Sequence, residues 1–351
     1  MYIKRLYLRH FRNYEEADVA FSPKFNAICG DNATGKTNLL EAISLISTGR
    51  SFRTQHLSEL IQEGSSFFYL EAEIIRDNVP QSVKISFDGQ NRRLQLNTND
   101  FATFHPLLGT LPSILSTPDD TDLIAGSPAH RRRFLNLHLA QSDPLYVHHL
   151  ARYWRAMKQR NCLLRAKSEN AIECWETEMA GSAAYLAEVR QELFVDLKEP
   201  LALQSRRLSS DAETVAVRFH STHSPMADTY LQQLQKMRKR EKDLGLTLNG
   251  PHRDDLSFWI GGKPARTFAS EGQKKTAVTA LRLAEWDRLA KRIGEPPLMA
   301  IDDFGGPLDQ VRQDLLSASL QSMGQVFITS PKTGDRRPSF YVKNGHITSE
   351  I

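Results

Sequence analysis

The chain has 351 residues, a mild net charge of +4 and an apolar content of 40%, which suit a folded protein with one large core and a lobe, or with two domains. No apolar run is long enough to cross a membrane, and the first residues alternate with charges instead of forming the apolar block of a signal peptide. We therefore expect a cytoplasmic protein without a membrane partner. The three cysteines are scattered, which argues against a disulfide scaffold and against structural zinc.

The first third of the chain has the alternating hydrophobicity of β-strands around a single helix. The runs predicted as strands are YIKRLYL, ADVAF, FNAIC, SFFYLEAEIIR, SVKISF and RRLQLNT, the last three forming a small meander. Residues 37–48 carry apolar side chains at helical spacing and are followed by Gly49, which is typical of a helix C-cap. This part therefore predicts β structure interrupted by one helix.

The pattern changes after the loop-like segment STPDDTDLIAGSP, and long helical periodicities follow. Predicted helices cover residues 129–141, 144–167, 171 to about 208, and 226–243. β-like alternation returns in LTLNGPHRDDLSFWIGG, followed by a helix, the strand LMAI, another helix and the strand QVFIT. There are no internal repeats and no sustained heptads. We therefore expect a split α/β domain, residues 1–127 and 244–351, with a helical lobe inserted at residues 128–243.

The segment GDNATGKT, Gly30 to Thr37, satisfies the pattern G-x-x-x-x-G-K-[ST] and lies between a predicted strand and a predicted helix. Gly30 and Gly35 let backbone N–H groups turn toward phosphate oxygens, and the helix N-terminus adds its positive dipole end. Lys36 would neutralise the β- and γ-phosphates, and Thr37 would offer its hydroxyl to Mg²⁺. The segment predicts a site for a nucleoside triphosphate.

Two acidic residues follow the apolar strand at the end of PPLMAIDDF. Asp302 and Asp303 lie at the carboxyl end of a buried parallel strand, where ligands bind in open α/β sheets. Taken alone, the pair is typical of a strand end with a helix cap. Together with a phosphate loop, it predicts that Asp302 contributes to the Mg²⁺ shell and that Asp303 polarises water.

The stretch TFASEGQKKTAVTALRLAEW, residues 267–286, begins with small and polar residues and continues as an amphipathic helix. Ser270 and Gln273 fit the capping box S-x-x-E/Q, in which two side chains satisfy each other's backbone amides. By itself the stretch therefore indicates one more core helix of a globular domain.

These motifs together resemble the RecF family of recombination-mediator ATPases, which are related to ABC and SMC head domains. The segments that carry the resemblance span nearly the whole chain: FRNY (11–14), GDNATGKTNLLEAI (30–43), GRSFRT (49–54), GSPAHRRRFLN (126–136), NGPHRDDL (249–256), SEGQKKT (270–276) and IDDFGGPLD (301–309). The resemblance implies an ABC-type P-loop ATPase head, with a mixed sheet, an antiparallel β subdomain and an inserted helical lobe, that takes ATP and Mg²⁺.

The resemblance also implies roles for particular residues. SEGQ corresponds to the ABC signature, so Ser270 and Gly272 would contact the γ-phosphate bound to a second copy of the chain, in an ATP-dependent homodimer. Thr329 or Ser330 lies where ABC proteins often carry a switch histidine. The expected nucleotide contacts are Gly30, Asp31, Asn32, Ala33, Thr34, Gly35, Lys36, Thr37, Asn38, Ser270, Gly272, Gln273 and Asp309, with Lys36, Asp302 and Asp303 catalytic and Thr37 and Asp302 on the metal. Arg12 and Asn13 are guesses for adenine contacts.

Some positions depart from the family's pattern. The family usually has Gly where Ala33 stands and Gln where Glu271 stands, and it usually has Ser-Glu in place of 306–307. No glutamine occurs around STPDDTD, so Asp119 or Asp120 is the nearest counterpart of a Q-loop. These departures predict slow ATP hydrolysis, and the resemblance implies that the hydrolysis depends on DNA.

Nothing in the sequence predicts base reading, so any DNA contact is expected to be to phosphates. The resemblance implies ATP-dependent binding to single-stranded DNA and to single-strand/duplex junctions at gaps, with RecO and RecR as partners in loading RecA during repair, replication-fork maintenance and the SOS response. Candidate contacts are Arg131, Arg132, Lys239 and Arg240, although solvated helix faces or structural ion pairs explain such clusters equally well.

Three other readings remain open. A non-hydrolysing ATP-gated DNA clamp would share every nucleotide motif. An ABC transporter subunit is disfavoured by the inserted helical lobe and by GPHRDDL, and an SMC-type bridging protein would need heptads that the insertion lacks.

Overall fold

The computed structural model describes residues 1–304, 308–331 and 340–349. The strands within these residues are β1 Tyr2–Phe11, β2 Tyr14–Ala20, β3 Phe25–Cys29, β4 Phe68–Arg76, β5 Val79–Phe87, β6 Arg92–Leu96, β7 Asn99–Phe101, β8 Ser113–Ser116, β9 Val215–His220, β10 Asp255–Ile260, β11 Lys263–Pro264, β12 Leu298–Ile301, β13 Val326–Ser330, β14 Phe340–Lys343 and β15 His346–Ser349. The α-helices are α1 Lys36–Thr48, α2 Asp122–Ala125, α3 Pro128–Ala140, α4 Pro144–Arg165, α5 Ile172–Leu208, α6 Ala227–Leu244, α7 Ala265–Phe268, α8 Glu271–Ile293 and α9 Gln310–Gln321.

The chain divides into two compact units. The first comprises Met1–Asp120, Gln204–Ala212 and Lys275–Ile351, and the second comprises Thr121–Leu203 and Glu213–Lys274. The sequence places residues 244–274 in the C-terminal part of the head, whereas they lie in the second compact unit.

A six-stranded antiparallel sheet and a six-stranded mixed sheet form the first unit. The antiparallel sheet has the order β2-β1-β4-β5-β6-β7, and it contains the predicted meander. The mixed sheet has the order β15-β14-β3-β13-β12-β8, in which β8, β12, β13, β3 and β14 run parallel. Strand β12 is a continuous apolar run, and β3 is buried from Asn26 to Cys29, because parallel strands of this kind are covered on both faces.

Helix α1 packs its apolar side chains into the core of the first unit. Leu39, Leu40, Ile43 and Ile46 are at most 2% exposed and join a cluster with residues of both sheets. The helix ends at Gly49, which adopts the left-handed conformation at φ 69° and donates its N–H to the carbonyl of Leu45. Gly49 is therefore the predicted C-cap.

The second unit combines helices with a small sheet of its own. Helices α3, α4 and α6 lie close to their predicted bounds, as does α5. Strand β9, however, pairs with β10 in the antiparallel sheet β11-β10-β9. This strand falls between the predicted helices, in a stretch to which the sequence assigned no element, because VAVRFH alternates over only six residues and finds its partner much later in the chain.

Among the described residues, no helix has both the length and the apolar character needed to span a bilayer.

Candidate functional site

The phosphate-loop segment follows β3 and leads into α1. Gly30 and Gly35 have φ angles of +150° and +121°, which L side chains rarely adopt. A Cβ at Gly30 would lie 2.3 Å from the Val342 carbonyl oxygen, so no other residue fits there. Ala33 is also left-handed, at φ 64°, where a residue with a Cβ is strained by about 1–2 kcal/mol. The departure from glycine at this position therefore leaves a locally strained loop.

Lys36 lies inside the loop that precedes it. Its Nζ donates to the carbonyl oxygens of Gly30 at 2.7 Å and of Asp31 at 2.6 Å. Burial lowers the pKa of Lys36, and the negative charges of Asp302, Asp303 and Asp31 act against that effect. The ammonium group of Lys36 is thus desolvated and bound by two carbonyl oxygens of the loop, and it feels the negative charges of Asp302 and Asp303.

Thr37 and Asp302 are brought together from positions 265 residues apart. The Thr37 hydroxyl lies 3.0 and 3.1 Å from the two carboxylate oxygens of Asp302. A hydroxyl and a carboxylate at this spacing are the hard oxygen donors that Mg²⁺ prefers, so the residues present fit that ion. Their meeting follows from the sheet, because β3 and β12 flank β13 in parallel and end at the same edge.

Thr329, at the end of β13, organises both aspartates. Its hydroxyl donates to Asp302 Oδ1 at 2.7 Å and accepts the backbone N–H of Asp303 at 2.8 Å. Its carbonyl oxygen accepts the N–H of Phe304 at 2.8 Å. These contacts hold Asp303 in the left-handed conformation at φ 56°. Thr329, one of the two residues predicted at the switch position, therefore holds the turn that carries the acidic pair.

Two side chains that the sequence did not identify as loop supports hold the loop from the antiparallel sheet. The Asn13 side-chain amide donates to the Thr34 carbonyl at 2.8 Å, and the Tyr14 hydroxyl donates to the Gly35 carbonyl at 2.9 Å. Asn38 donates to Asn13 Oδ1 at 2.7 Å, which extends the network to the first turn of α1. Asn13, a guess for an adenine contact, thus supports the loop. The only sign in the sequence that Asn13 has a role was its position in the segment FRNY.

A buried carboxylate fixes α1 behind the loop. Glu41 is fully buried, and Arg12 binds it through two hydrogen bonds of 2.8 and 2.7 Å. Arg53 lies 3.5 Å from the same carboxylate, and the Ser51 hydroxyl donates to it. Arg12, the other guess for an adenine contact, is therefore held in an ion pair. In the sequence, this network could have been recognised from Glu41, a charged residue on the apolar face of α1.

The predicted signature lies at the end of the second unit. Ser270 N–H donates to the Gln273 side-chain oxygen at 2.9 Å, and the Gln273 N–H donates to the Ser270 hydroxyl at 3.2 Å. The capping box is thus confirmed, and Gly272 lies in the first turn of α8. Glu271 is 72% exposed and pairs with Lys274 at 2.8 Å.

Two further predicted residues have local roles. Asp309 caps α9 by accepting the N–H of Arg312 at 2.9 Å. The Asp120 carboxylate, near the predicted Q-loop position, accepts two hydrogen bonds from Arg282, at 2.8 and 2.7 Å. The departures at Gly306 and Pro307 lie outside the described residues.

The basic candidates fall into two groups. Arg131 is 3% exposed, and its guanidinium donates to the Asp255 carboxylate at 2.6 and 3.0 Å. The prediction that Arg131 contacts DNA phosphates is therefore wrong: helical periodicity turns this side chain to the buried side, where it serves a structural ion pair. Lys239 and Arg240, in contrast, are exposed on α6.

A family model and a solved structure identify the class of fold. Residues 2–337 match the model of the RecF/RecN/SMC N terminal domain. An Smc head domain bound to the C-terminal winged-helix domain of ScpA shares the fold, with a TM-score of 0.58 at 18% identity over 100% of this chain and 98% of its own.

More similar proteins narrow the class. DNA replication and repair protein RecF of Protochlamydia amoebophila is 47% identical over 337 residues, 94% of each chain, and that of Chlamydia abortus is 38% identical over 94% of this chain and 92% of its own. The solved recombination mediator protein RecF-ATP in the RecFOR pathway superposes with a TM-score of 0.92 at 27% identity, over 100% of this chain and 98% of its own. The chain belongs to the RecF family.

Proposed function

We propose that this chain binds ATP with Mg²⁺ and that the bound nucleotide controls its binding to DNA in recombinational repair and replication-fork maintenance. One observation carries the ATP site: Lys36, Thr37 and the two aspartates after β12 converge at one edge of the parallel sheet. The solved RecF-ATP relative supports the identity of the nucleotide.

Each residue then has a defined task. Lys36 exchanges its two loop carbonyls for the β- and γ-phosphate oxygens, which are stronger acceptors for an ammonium group. Thr37 and Asp302 hold Mg²⁺, which when bound neutralises charge that develops on the phosphates. Asp303 orients the attacking water, and its constrained turn fixes the direction of its carboxylate.

A second copy of the chain completes the site. In this proposal Ser270 and Gly272, at the positive N-terminal end of α8, bind the γ-phosphate held by the partner's loop, because the dipole of a helix N-terminus favours an anion. The amide that the capping box satisfies in the monomer becomes available when Ser270 turns to the phosphate. Asp309 contributes from the D-loop. The result is an ATP-dependent homodimer with slow turnover.

The DNA substrate is single-stranded DNA and the single-strand/duplex junction at gaps. The RecFOR pathway named for the solved relative supports RecO and RecR as partners. In this proposal the outcome is the loading of RecA during the SOS response. Basic residues on the second unit supply phosphate contacts, namely the exposed Lys239 and Arg240 and the half-buried Arg132.

Phosphate-dominated binding has a measurable signature. With ATP present, log affinity for a gapped oligonucleotide should fall linearly with log salt concentration, because each neutralised phosphate releases counterions. Replacing Lys239 and Arg240 together by alanine should lower the slope by about two while weakening all sequences equally. Lys84→Ala, which removes one charge from the antiparallel sheet, is the matched control. Fluorescence anisotropy at a series of salt concentrations measures both the affinity and the slope. An affinity that does not change with salt concentration, or that is the same without ATP, would contradict the proposal.

A further inference from the structure

An exposed tryptophan on α4 lies beside the segment 247–254 of the second unit. Trp154 is 45% exposed, and its ring lies 6.4 Å from the ring of His252 at an angle of 64°. An indole with this much of its surface open offers a flat aromatic face to which another planar group can stack. Neither the ATP site nor the predicted phosphate contacts use this side chain.

Basic side chains lie near Trp154 in the chain and next to its neighbour His252. Arg253 follows His252 and is exposed, while Arg132 donates to the Asp254 carbonyl at 3.2 Å. Burial lowers the pKa of His252 to about 4, and the positive charges of Arg253 and Arg132 also lower it. Lys158 is exposed one helical turn after Trp154, on the same face of α4. Within the described part of the chain, Arg132, Arg253 and Lys158 have no carboxylate partner.

The imidazole of His252, beside the indole, is held by hydrogen bonds at both ring nitrogens. Nε2 of His252 donates to the Thr247 carbonyl at 3.1 Å, and Nδ1 accepts from the Tyr153 hydroxyl at 2.6 Å. Both ring nitrogens are therefore used by a neutral imidazole. The backbone approaches closely at Gly250, where φ is +140° and a Cβ would lie 2.2 Å from the Tyr153 hydroxyl oxygen. The indole of Trp154 thus has an uncharged imidazole, held by two hydrogen bonds, at its edge.

We propose that Trp154 stacks on an unpaired base of single-stranded DNA. The three basic side chains, Arg132, Arg253 and Lys158, bind the flanking phosphates. A platform of this composition favours a single strand, because base–aromatic stacking needs a base whose face is free, whereas bases within a duplex are already stacked on each other. The inference rests on the DNA binding proposed above and defines a site and a DNA form for it.

The test uses the full chain with ATP and Mg²⁺, a labelled oligo-dT strand, and a duplex of the same length. Trp154→Ala should lower affinity for the single strand about tenfold and affinity for the duplex less than about twofold. Trp154→Phe should retain most of the affinity, because a phenyl ring still stacks. Arg253→Ala should weaken both DNA forms and reduce the salt slope by about one. Val195→Ala, which truncates another exposed apolar side chain of the same unit, should change nothing.

Tryptophan fluorescence supplies an independent readout. Oligo-dT should quench the wild-type emission, the quenching should largely disappear in Trp154→Phe, and it should persist in Trp175→Phe. The proposal is overturned if Trp154→Ala binds the single strand as the wild type does, if it loses both DNA forms equally, or if Trp154→Phe is quenched like the wild type. Wild-type protein that binds no DNA with ATP would instead defeat the proposed function itself.

Discussion

Replacing Lys36 by methionine is expected to weaken ATP binding about tenfold to a hundredfold and to abolish hydrolysis. The ammonium group is the desolvated cation at the centre of the loop, and a hydrogen bond to a charged group contributes about 1.5–3 kcal/mol. Methionine keeps most of the length and volume of the side chain, so the loss isolates the charge. Calorimetric titration with ATP and a steady-state phosphate-release assay measure the two effects.

The matched control for this change is Lys84→Met, because Lys84 lies on β5 in the antiparallel sheet and contacts only Glu71 among charged groups in the described residues. A thermal unfolding curve should show that Lys36→Met remains folded, since the lysine bonds only to loop carbonyls. Undiminished ATP affinity in a folded Lys36→Met protein would show that the loop is a glycine turn and not a phosphate site.

Replacing Asp303 by asparagine is expected to slow hydrolysis by about a hundredfold or more while leaving ATP binding nearly intact. Positioned acid–base groups contribute factors of this size, and asparagine keeps the backbone N–H of residue 303 that the Thr329 hydroxyl accepts. Asparagine is tolerated at positive φ as aspartate is, so the turn at φ 56° should persist. The variant should therefore accumulate a long-lived ATP dimer, observed as a slow return to monomer after ATP is diluted.

The same variant separates a cycling ATPase from a non-hydrolysing clamp. A clamp that never hydrolyses should dissociate at the same rate whether residue 303 is Asp or Asn. Asp314→Asn, on the exposed face of α9, removes a carboxylate without touching the acidic pair and should behave as the wild type.

The nucleotide side of the site was predictable because each part has a local pattern. GDNATGKT lies between a strand and a helix in the structure as in the prediction, and LMAI forms the parallel strand β12. Since carboxyl ends of neighbouring parallel strands meet at one edge, the approach of Thr37 to Asp302 followed without any knowledge of the chain between them. The capping box of Ser270 was equally local.

The remaining features depend on contacts that no local pattern encodes. Whether the Arg131 side chain is exposed to solvent or pairs with Asp255 depends on strand β10, which begins 124 residues later in the chain. Strand β9 is recognisable only with its partner β10, and the Glu41 network needs side chains from three separate segments. Sequence periodicity indicates which face of a helix is buried, but the charged residue that fits there is determined by the opposing element.

The central claim is that Ser270 and Gly272 of one copy complete the ATP site of another. Its most direct test is the mass of the protein in solution, with and without ATP, for the wild type and for Ser270→Arg. Ser270→Ala is the control for the capping box. It also loses the box, at a cost of about 1 kcal/mol, but it adds neither bulk nor charge. The account predicts that ATP doubles the wild-type mass, that Ser270→Arg stays monomeric although it binds ATP, and that Ser270→Ala still dimerises. Equal dimerisation of wild type and Ser270→Arg, or no dimer of the wild type even with DNA present, would contradict it.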